Sequence, residues 1–315
     1  MKIYFDNVAF SSSSGPNSFG KRLSDQFIKM GHEIVKDGEE HDVFLSFIQR
    51  NKIPYKNAKT VLRLDGIWFK PENFEENNKK IKEAYLSYDY VIFQSYFDKA
   101  MMEKHFGERE GCSVIHNGIE ITKKNIIHQI KHSNEKIFVC SANWHPQKRL
   151  KENIDLFNQI RKKLNKDGED ARLYILGMCH DIENINIDSF DNVFYLGHQN
   201  HETCLRFYAT ADYFIHLAWL DHCPNVVVEA LSQGCPVICT DSGGTKEIVR
   251  NSGIIIPETK PYNFELTDYD CPYNVDFSTF ELPKLRPIVN SEYLEISKVA
   301  ENYINVFKGI KYAIT

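Results

Sequence analysis

Asp221-His222-Cys223-Pro224-Asn225-Val226-Val227-Val228-Glu229-Ala230-Leu231-Ser232-Gln233-Gly234-Cys235-Pro236-Val237-Ile238 is the stretch on which the reading of this chain turns. Pro224 suits the first turn of a helix, and Gly234 supplies the residue that ends one. The segment between them is apolar on nearly every side, so the predicted helix, Asn225–Gln233, is a buried one. The run that follows, Pro236–Thr240, reads as a strand. One acid, Glu229, is embedded in a helix that otherwise avoids charge, and a buried carboxylate needs a partner. A diol such as ribose would donate two hydroxyls to it; an internal salt bridge to a Lys or Arg would serve as well.

Working outward, short β-rich runs alternate with amphipathic helical stretches, the pattern of α/β layering on mainly parallel sheets. In the second half the predicted strands are Ile137–Ser141, Arg172–Leu176, Val193–Leu196, Tyr213–His216, Pro236–Thr240 and Gly253–Ile256. Helices are predicted over Arg149–Asn165, His201–Ala209 and Asn225–Gln233, with a short one from Thr245. The first half repeats the theme with strands Lys2–Phe5, Val43–Phe47, Thr60–Leu64, Tyr90–Gln94 and Ser113–His116. Helices Lys21–Met30 and Ile81–Ser87 lie between them. The polar stretch Glu120–Glu135 carries no periodicity and reads as a connection. Two Rossmann-like domains are therefore expected, 1–125 and 130–290, with a ligand cleft between them at the carboxyl ends of the strands. Lys260–Val289 looks irregular. Residues 291–315 are expected to form a helix packing back toward the first domain, because Tyr293, Ile296, Ala300, Tyr303 and Phe307 follow 3–4 spacing and need a surface to cover.

With 315 residues, 42% hydrophobic and 26% charged, the composition is that of an ordinary globular enzyme, and a net charge of -5 argues against a general nucleic-acid binder. No run approaches the length of a membrane span, and Met1–Asp6 turns polar too soon for a signal peptide. The 8 cysteines form no C-x-x-C pair, and several sit inside apolar runs such as Phe138-Val139-Cys140. A reducing cytoplasm is the expected location, with peripheral attachment to a membrane left open, and no structural metal is expected.

Two further constellations stand on predicted post-strand loops. In Thr240-Asp241-Ser242-Gly243-Gly244-Thr245-Lys246-Glu247 a Gly-Gly turn opens a helix, with Thr245 as its expected N-cap; amides there would suit phosphate or a sugar oxygen. In Asn143-Trp144-His145-Pro146-Gln147-Lys148-Arg149 two adjacent cations are placed to meet a diphosphate, although, viewed alone, a solvated surface pair is the better explanation of them.

Together these pieces resemble the family 4 glycosyltransferases, which have the GT-B architecture. The shared pattern is a carboxylate, seven residues, then Glu-Ala, followed by Gly-x-Pro-Val-Ile and Gly-Gly-x-x-Glu. Tyr195-Leu196-Gly197-His198 and Ala211-Asp212-Tyr213 resemble the family's lead-in, and Ile115-His116-Asn117-Gly118-Ile119-Glu120 resembles the end of its N-terminal domain. The resemblance spans about residues 1–260. It implies that Glu229 holds the nucleotide ribose, that Asp221 faces the donor sugar, and that Lys148 with Arg149 neutralises the diphosphate. Backbone around Asn225, Val226, Gly243 and Gly244 would complete the cradle. Gly15 and Gly20 would form an N-terminal loop facing the donor. Asn143 stands where the family usually has Arg, Arg149 where Gly is common, and Asp221 where Glu is usual. Asp65, in Arg63-Leu64-Asp65-Gly66, takes the place of a His-containing segment that touches the donor sugar, and Gln94-Ser95 would line the acceptor side.

The resemblance implies a retaining transfer from a UDP- or GDP-sugar that needs no cofactor and no metal. In such a transfer the donor phosphate takes the acceptor proton, so no protein base is assigned. In keeping with that, no Asp-x-Asp is placed on a site loop. The acceptor, whether glycan, lipid-linked sugar, protein or small molecule, is not legible. Rival readings are a catalytically degenerate nucleotide-sugar-binding protein and a sugar-nucleotide epimerase of the same architecture. Gly15-Pro16-Asn17-Ser18-Phe19-Gly20-Lys21-Arg22 also approaches a P-loop, but Arg22 replaces the hydroxyl that would bind magnesium.

Overall fold

The computed structural model describes residues 1–310 apart from 13, 123–126, 128–133 and 180–184, so most of the expected connection at 120–135 lies outside the described residues. The chain divides into two compact units. The first comprises Met1–Glu120, Phe264–Thr267 and Tyr293–Thr315, the second Ile121–Asn263 and Asp268–Glu292. The return of Phe264–Thr267 to the first unit is not foreseen by the sequence reading.

In the first unit, strands β1 (Lys2–Asp6), β2 (Glu33–Ile34), β3 (Val43–Phe47), β4 (Lys59–Arg63), β5 (Tyr90–Phe93) and β6 (Cys112–Val114) form one sheet. Their order is β2-β1-β3-β4-β5-β6 and every pairing is parallel. β3 is buried at all five positions, as a strand covered on both faces must be, which is why it reads as the unbroken run Val-Phe-Leu-Ser-Phe. Helices α1 (Gly15–Lys29), α2 (Phe74–Ser87) and α3 (Tyr96–Phe106) connect the strands. The last helix of the chain, α8 (Ile296–Gly309), belongs to this unit. It buries Ile296, Val299, Ala300, Tyr303, Ile304 and Phe307 in the same core as Phe19, Leu23 and Phe27 of α1. Six apolar side chains on one stripe would remain in water without that neighbour.

In the second unit β7 (Glu135–Ser141), β8 (Asp170–Leu176), β9 (Val193–Gly197), β10 (Tyr213–His216), β11 (Val237–Thr240) and β12 (Gly253–Ile256) form the second sheet. Its order is β9-β8-β7-β10-β11-β12, again all parallel. In chain order this is the 3-2-1-4-5-6 arrangement of the Rossmann fold, whose strand order reverses between β7 and β10. The loops leaving those two strands therefore diverge to opposite sides and open a crevice at the carboxyl edge. Helices α4 (Leu150–Lys166), α5 (His201–Thr210), α6 (Asn225–Ser232) and α7 (Thr245–Val249) complete the unit.

α6 shows how local sequence sets this geometry. Pro224 stands immediately before the helix, and Gly234, at φ 69°, follows its C-cap Gln233. Gly234 N–H donates to Leu231 O at 2.9 Å and Cys235 N–H to Ala230 O at 3.0 Å, the paired bonds of a Schellman stop.

Candidate active site

Three loops of the second unit meet at the reversal point. The loop after β7 carries Lys148 at the end of a short 3-10 turn, Pro146–Lys148, and the loop after β10 carries Asp221. Trp219 N–H donates to Gln147 O at 2.8 Å and holds the two together. The loop after β11 carries the Gly-Gly turn, and Gly244 N–H donates to Asp221 O at 2.7 Å. Gly243 has φ +68°, and a Cβ there would lie 2.5 Å from Asp221 O and 2.8 Å from Asp221 N. Only glycine permits both that conformation and that approach.

Within this frame Lys148 Nζ bonds and ion-pairs with Asp221 Oδ2. His216 Nε2, at the end of β10, lies 3.3 Å from the same oxygen. Burial opposes the Lys148 ammonium, but Asp221 outweighs it and holds Lys148 above its ordinary value. Burial likewise opposes the Asp221 carboxylate, yet Lys148 and His216 hold its carboxyl well below the usual range. Burial pushes the His216 imidazole down, Asp221 opposing and Lys148 adding to the shift. The site is thus a fixed cation beside a fixed anion, each in its charged form, at the edge of a sheet.

Glu229 is 7% exposed in the middle of α6. His201 Nε2, at the start of α5, lies 3.3 Å from its Oε1. Asn225 and Val226 form the first turn of α6 and keep partial exposure. Asn143 is exposed beside Lys148's loop, its Nδ2 3.2 Å from His145 Nε2.

Several expected roles are altered by the geometry. Arg149 does not accompany Lys148 toward the crevice. Its backbone is left-handed, at φ 54°, which turns the side chain inward. There it is 1% exposed and makes bonds of 2.6 and 3.0 Å to the two carboxylate oxygens of Glu258, with a further 2.6 Å bond to Tyr273 O. With a further 3.2 Å bond to Leu217 O, this guanidinium braces its own loop against the segments carrying Leu217, Glu258 and Tyr273 and leaves Lys148 as the cation facing out. The Gly244 amide is likewise committed, to Asp221 O. Gly244 rather than Thr245 occupies the cap of α7, whose first residue is Thr245, with its hydroxyl buried.

In the first unit α1 begins at Gly15, six residues before the expected start, so Gly15–Gly20 is helix rather than loop. Gly20 is buried there, its missing Cβ 2.8 Å from Val8 Cγ1. A P-loop cradle has no place in such a helix. Arg63, 1% exposed at the end of β4, bonds Asp65 Oδ1, Gln94 Oε1 and Asn117 Oδ1. One oxygen of Asp65, Oδ2, is buried without a hydrogen-bond partner among the described residues. Ser95 is committed to capping α3, accepting from Asp98 N–H at 3.0 Å. His116 Nδ1 lies 2.8 Å from Gln94 O.

Two participants escape the sequence reading. His216 looks like the last residue of a strand, and nothing in its spacing ties it to Asp221. Tyr269 lies in the irregular segment and is charge-coupled to both Lys148 and Asp221, while burial pushes its hydroxyl up. Its context, Asp268-Tyr269-Asp270, is itself an Asp-x-Asp near the site. Among the described residues no group of three or more His, Cys, Asp or Glu side chains could hold a metal ion.

Comparison with known proteins adds to this geometry. Residues 122–265, most of the second unit, match the family model described as Glycosyl transferases group 1. A search of curated proteins by sequence finds no match. Among solved structures, the Anabaena protein Alr3699/HepE in complex with UDP and glucose aligns over 98% of this chain and 99% of that one, with TM-score 0.67 and 15% identity. AviGT4, a glycosyltransferase involved in avilamycin A biosynthesis, aligns over 98% of both chains with TM-score 0.68 and 14% identity. Sucrose-phosphate synthase from Thermosynechococcus elongatus aligns over 98% of this chain and 94% of that one, with TM-score 0.66 and 12% identity. With its two six-stranded parallel sheets and their helices, the chain has the α/β fold of GT-B glycosyltransferase structures, and most of its second unit matches the group 1 family model.

Proposed function

We propose that this chain is a retaining, metal-independent glycosyltransferase that moves a sugar from a nucleoside-diphosphate sugar to a hydroxyl acceptor in glycan or glycoconjugate synthesis. The observation that carries the reading is the convergence of Lys148, Asp221, the Gly243–Gly244 turn and the first turn of α6 at one sheet edge. Cleaving a nucleoside-diphosphate sugar builds negative charge on the leaving diphosphate. Lys148, fixed and charged beside α6, meets that charge without a metal. Glu229 accepts the ribose hydroxyls, and Asp221 accepts a hydroxyl of the donor sugar. Asp65, in the first unit, is assigned a donor-sugar hydroxyl as its ligand, which its buried Oδ2 would accept. The donor phosphate takes the acceptor proton. A UDP-sugar is the favoured donor because Alr3699/HepE, which shares the fold, was solved with UDP and with UDP-glucose.

The test is a calorimetric and ligand-NMR screen against UDP, GDP, ADP, CMP and their common sugars, with and without EDTA, on the wild type and Glu229→Ala. Binding of UDP and a UDP-sugar that survives EDTA and disappears in the variant is the expected result. Silence toward every nucleotide, or a response that needs magnesium, would sink the reading.

A further inference from the structure

Resting on the donor-site reading, we propose that His216 is a positioning residue that lets the short Asp221 carboxylate recognise the donor sugar. Asp221 has two oxygens and its known partners crowd onto one of them. Lys148 Nζ and His216 Nε2 both address Oδ2, the histidine at 3.3 Å. Oδ1 has no hydrogen-bond partner among the described residues, and the side chain keeps 16% exposure. One oxygen is therefore held from behind while the other is presented to the crevice. His216 Nε2 is buried without a hydrogen-bond partner among the described residues, and in the tautomer with its proton there it would donate to Oδ2 as a ligand hydroxyl donates to Oδ1.

Two anchors are needed because one does not define the carboxylate plane. An ion pair to a flexible Lys stem leaves an Asp side chain free to rotate about its terminal torsion, and Lys148 must also face the diphosphate. His216 is rigid by comparison. It is 4% exposed, follows directly from β10, and stacks on Phe214 at 6.1 Å between ring centroids and 15° between planes. Its Nε2 is held by the sheet rather than by the loop, so a bond from it to Oδ2 would set the direction of Oδ1 whatever Lys148 does. The group it serves is a neutral sugar hydroxyl, not the nucleotide, and this makes the role separable from folding and from diphosphate binding.

The experiment compares affinities for UDP and for UDP-glucose in the wild type, His216→Phe and His216→Gln. Phenylalanine keeps the stacked ring without the donor; glutamine reaches Asp221 with an amide N–H. In His216→Phe, UDP affinity is expected to stay within about twofold of wild type, because phosphate contacts are untouched. The extra affinity for UDP-glucose over UDP should fall by roughly tenfold, the scale of one oriented hydrogen bond, and His216→Gln should restore most of it. If His216→Phe does not fold, His216→Asn, whose amide stops short of Asp221, takes its place with the same expectation. A parallel loss of both affinities would show a merely structural histidine, and an unchanged preference for UDP-glucose would show that Asp221 needs no second anchor; either overturns the proposal. A wild type that binds neither ligand overturns the donor-site reading and this inference with it.

Discussion

Gly243→Ala tests whether the Gly-Gly turn and the Asp221 loop are built as one piece. At φ +68° an alanine costs about 1–2 kcal/mol relative to glycine. Its methyl would also lie 2.5 Å from Asp221 O, where ordinary contact begins near 3.4 Å, so the carbonyl must retreat by about 0.9 Å. That retreat strains the 2.7 Å bond from Gly244 N–H, worth about 1 kcal/mol. Together these predict about 2–3 kcal/mol of lost stability, or roughly 5–10 °C in Tm for a domain of this size. The control is Gly168→Ala, which shares a left-handed φ of +78° but meets nothing within 4 Å, and so carries the conformational cost alone. Scanning calorimetry reads the stability difference. Turnover of a nucleotide-sugar donor reads the displacement of Asp221, where a shift approaching 1 Å predicts a loss on the order of 100-fold. If Gly243→Ala melts with Gly168→Ala and handles the donor like wild type, the packing argument is wrong.

Other expectations follow from the same geometry. Arg149→Lys should cost about 3 kcal/mol by losing the paired bonds to Glu258, yet leave UDP affinity unchanged, which combined melting and calorimetric titration would check. Asp221→Asn removes the countercharge from Lys148; with the two side chains 20% and 16% exposed, about 1–3 kcal/mol should be lost, as read by denaturant unfolding. Stability should also fall on acidification in two stages. The first begins below about pH 6.5, where an unfolded His216 takes a proton that burial denies the folded one, and it should vanish in His216→Gln. The second lies below about pH 4, where an unfolded Asp221 is protonated while the folded carboxyl, held well below its usual range, still resists, so that stability present above this range is lost; melting curves between pH 3 and 8 would resolve both.

How much of this was legible beforehand depends on the length scale of each signal. Strand runs such as Val43–Phe47 and Tyr213–His216 coincide with the observed strands, because β-branched and aromatic runs bounded by turn residues are a local signal. The α1 boundary was misread because Gly15, Pro16 and Gly20 are turn formers by type. In the fold Pro16 lies in the helix's first turn, where its missing N–H is harmless, and Gly20 gives Val8 room to pack. α3 went unseen for a different reason: Tyr96–Phe106 has a weak apolar stripe, and its strongest cue was the Ser95 cap followed three residues later by Asp98. The participation of Tyr269 had no local cue at all, since it depends on how an irregular segment closes onto the second unit.

The pair Lys148-Arg149 shows where residue type stops deciding and backbone begins. By composition the two are interchangeable cations on one loop. Their fates differ because position 149 must be left-handed to turn from the Pro146–Lys148 turn into α4, a conformation more usual for glycine. A side chain at that position points back under the loop, and Glu258 is there to receive it. The strain of the left-handed residue is thereby offset by a buried, doubly bonded ion pair, and the loop gains a brace that a glycine could not supply. Lys148, one residue earlier on a regular backbone, keeps its charge at the crevice, opposite a carboxylate one methylene shorter than the glutamate that the resemblance leads one to expect at position 221. A shorter carboxylate reaches less far, so the lysine and His216 must hold it at the rim. The departures at positions 149 and 221 therefore have opposite physical effects: one withdraws a charge into the scaffold, and the other requires the scaffold to push a charge out.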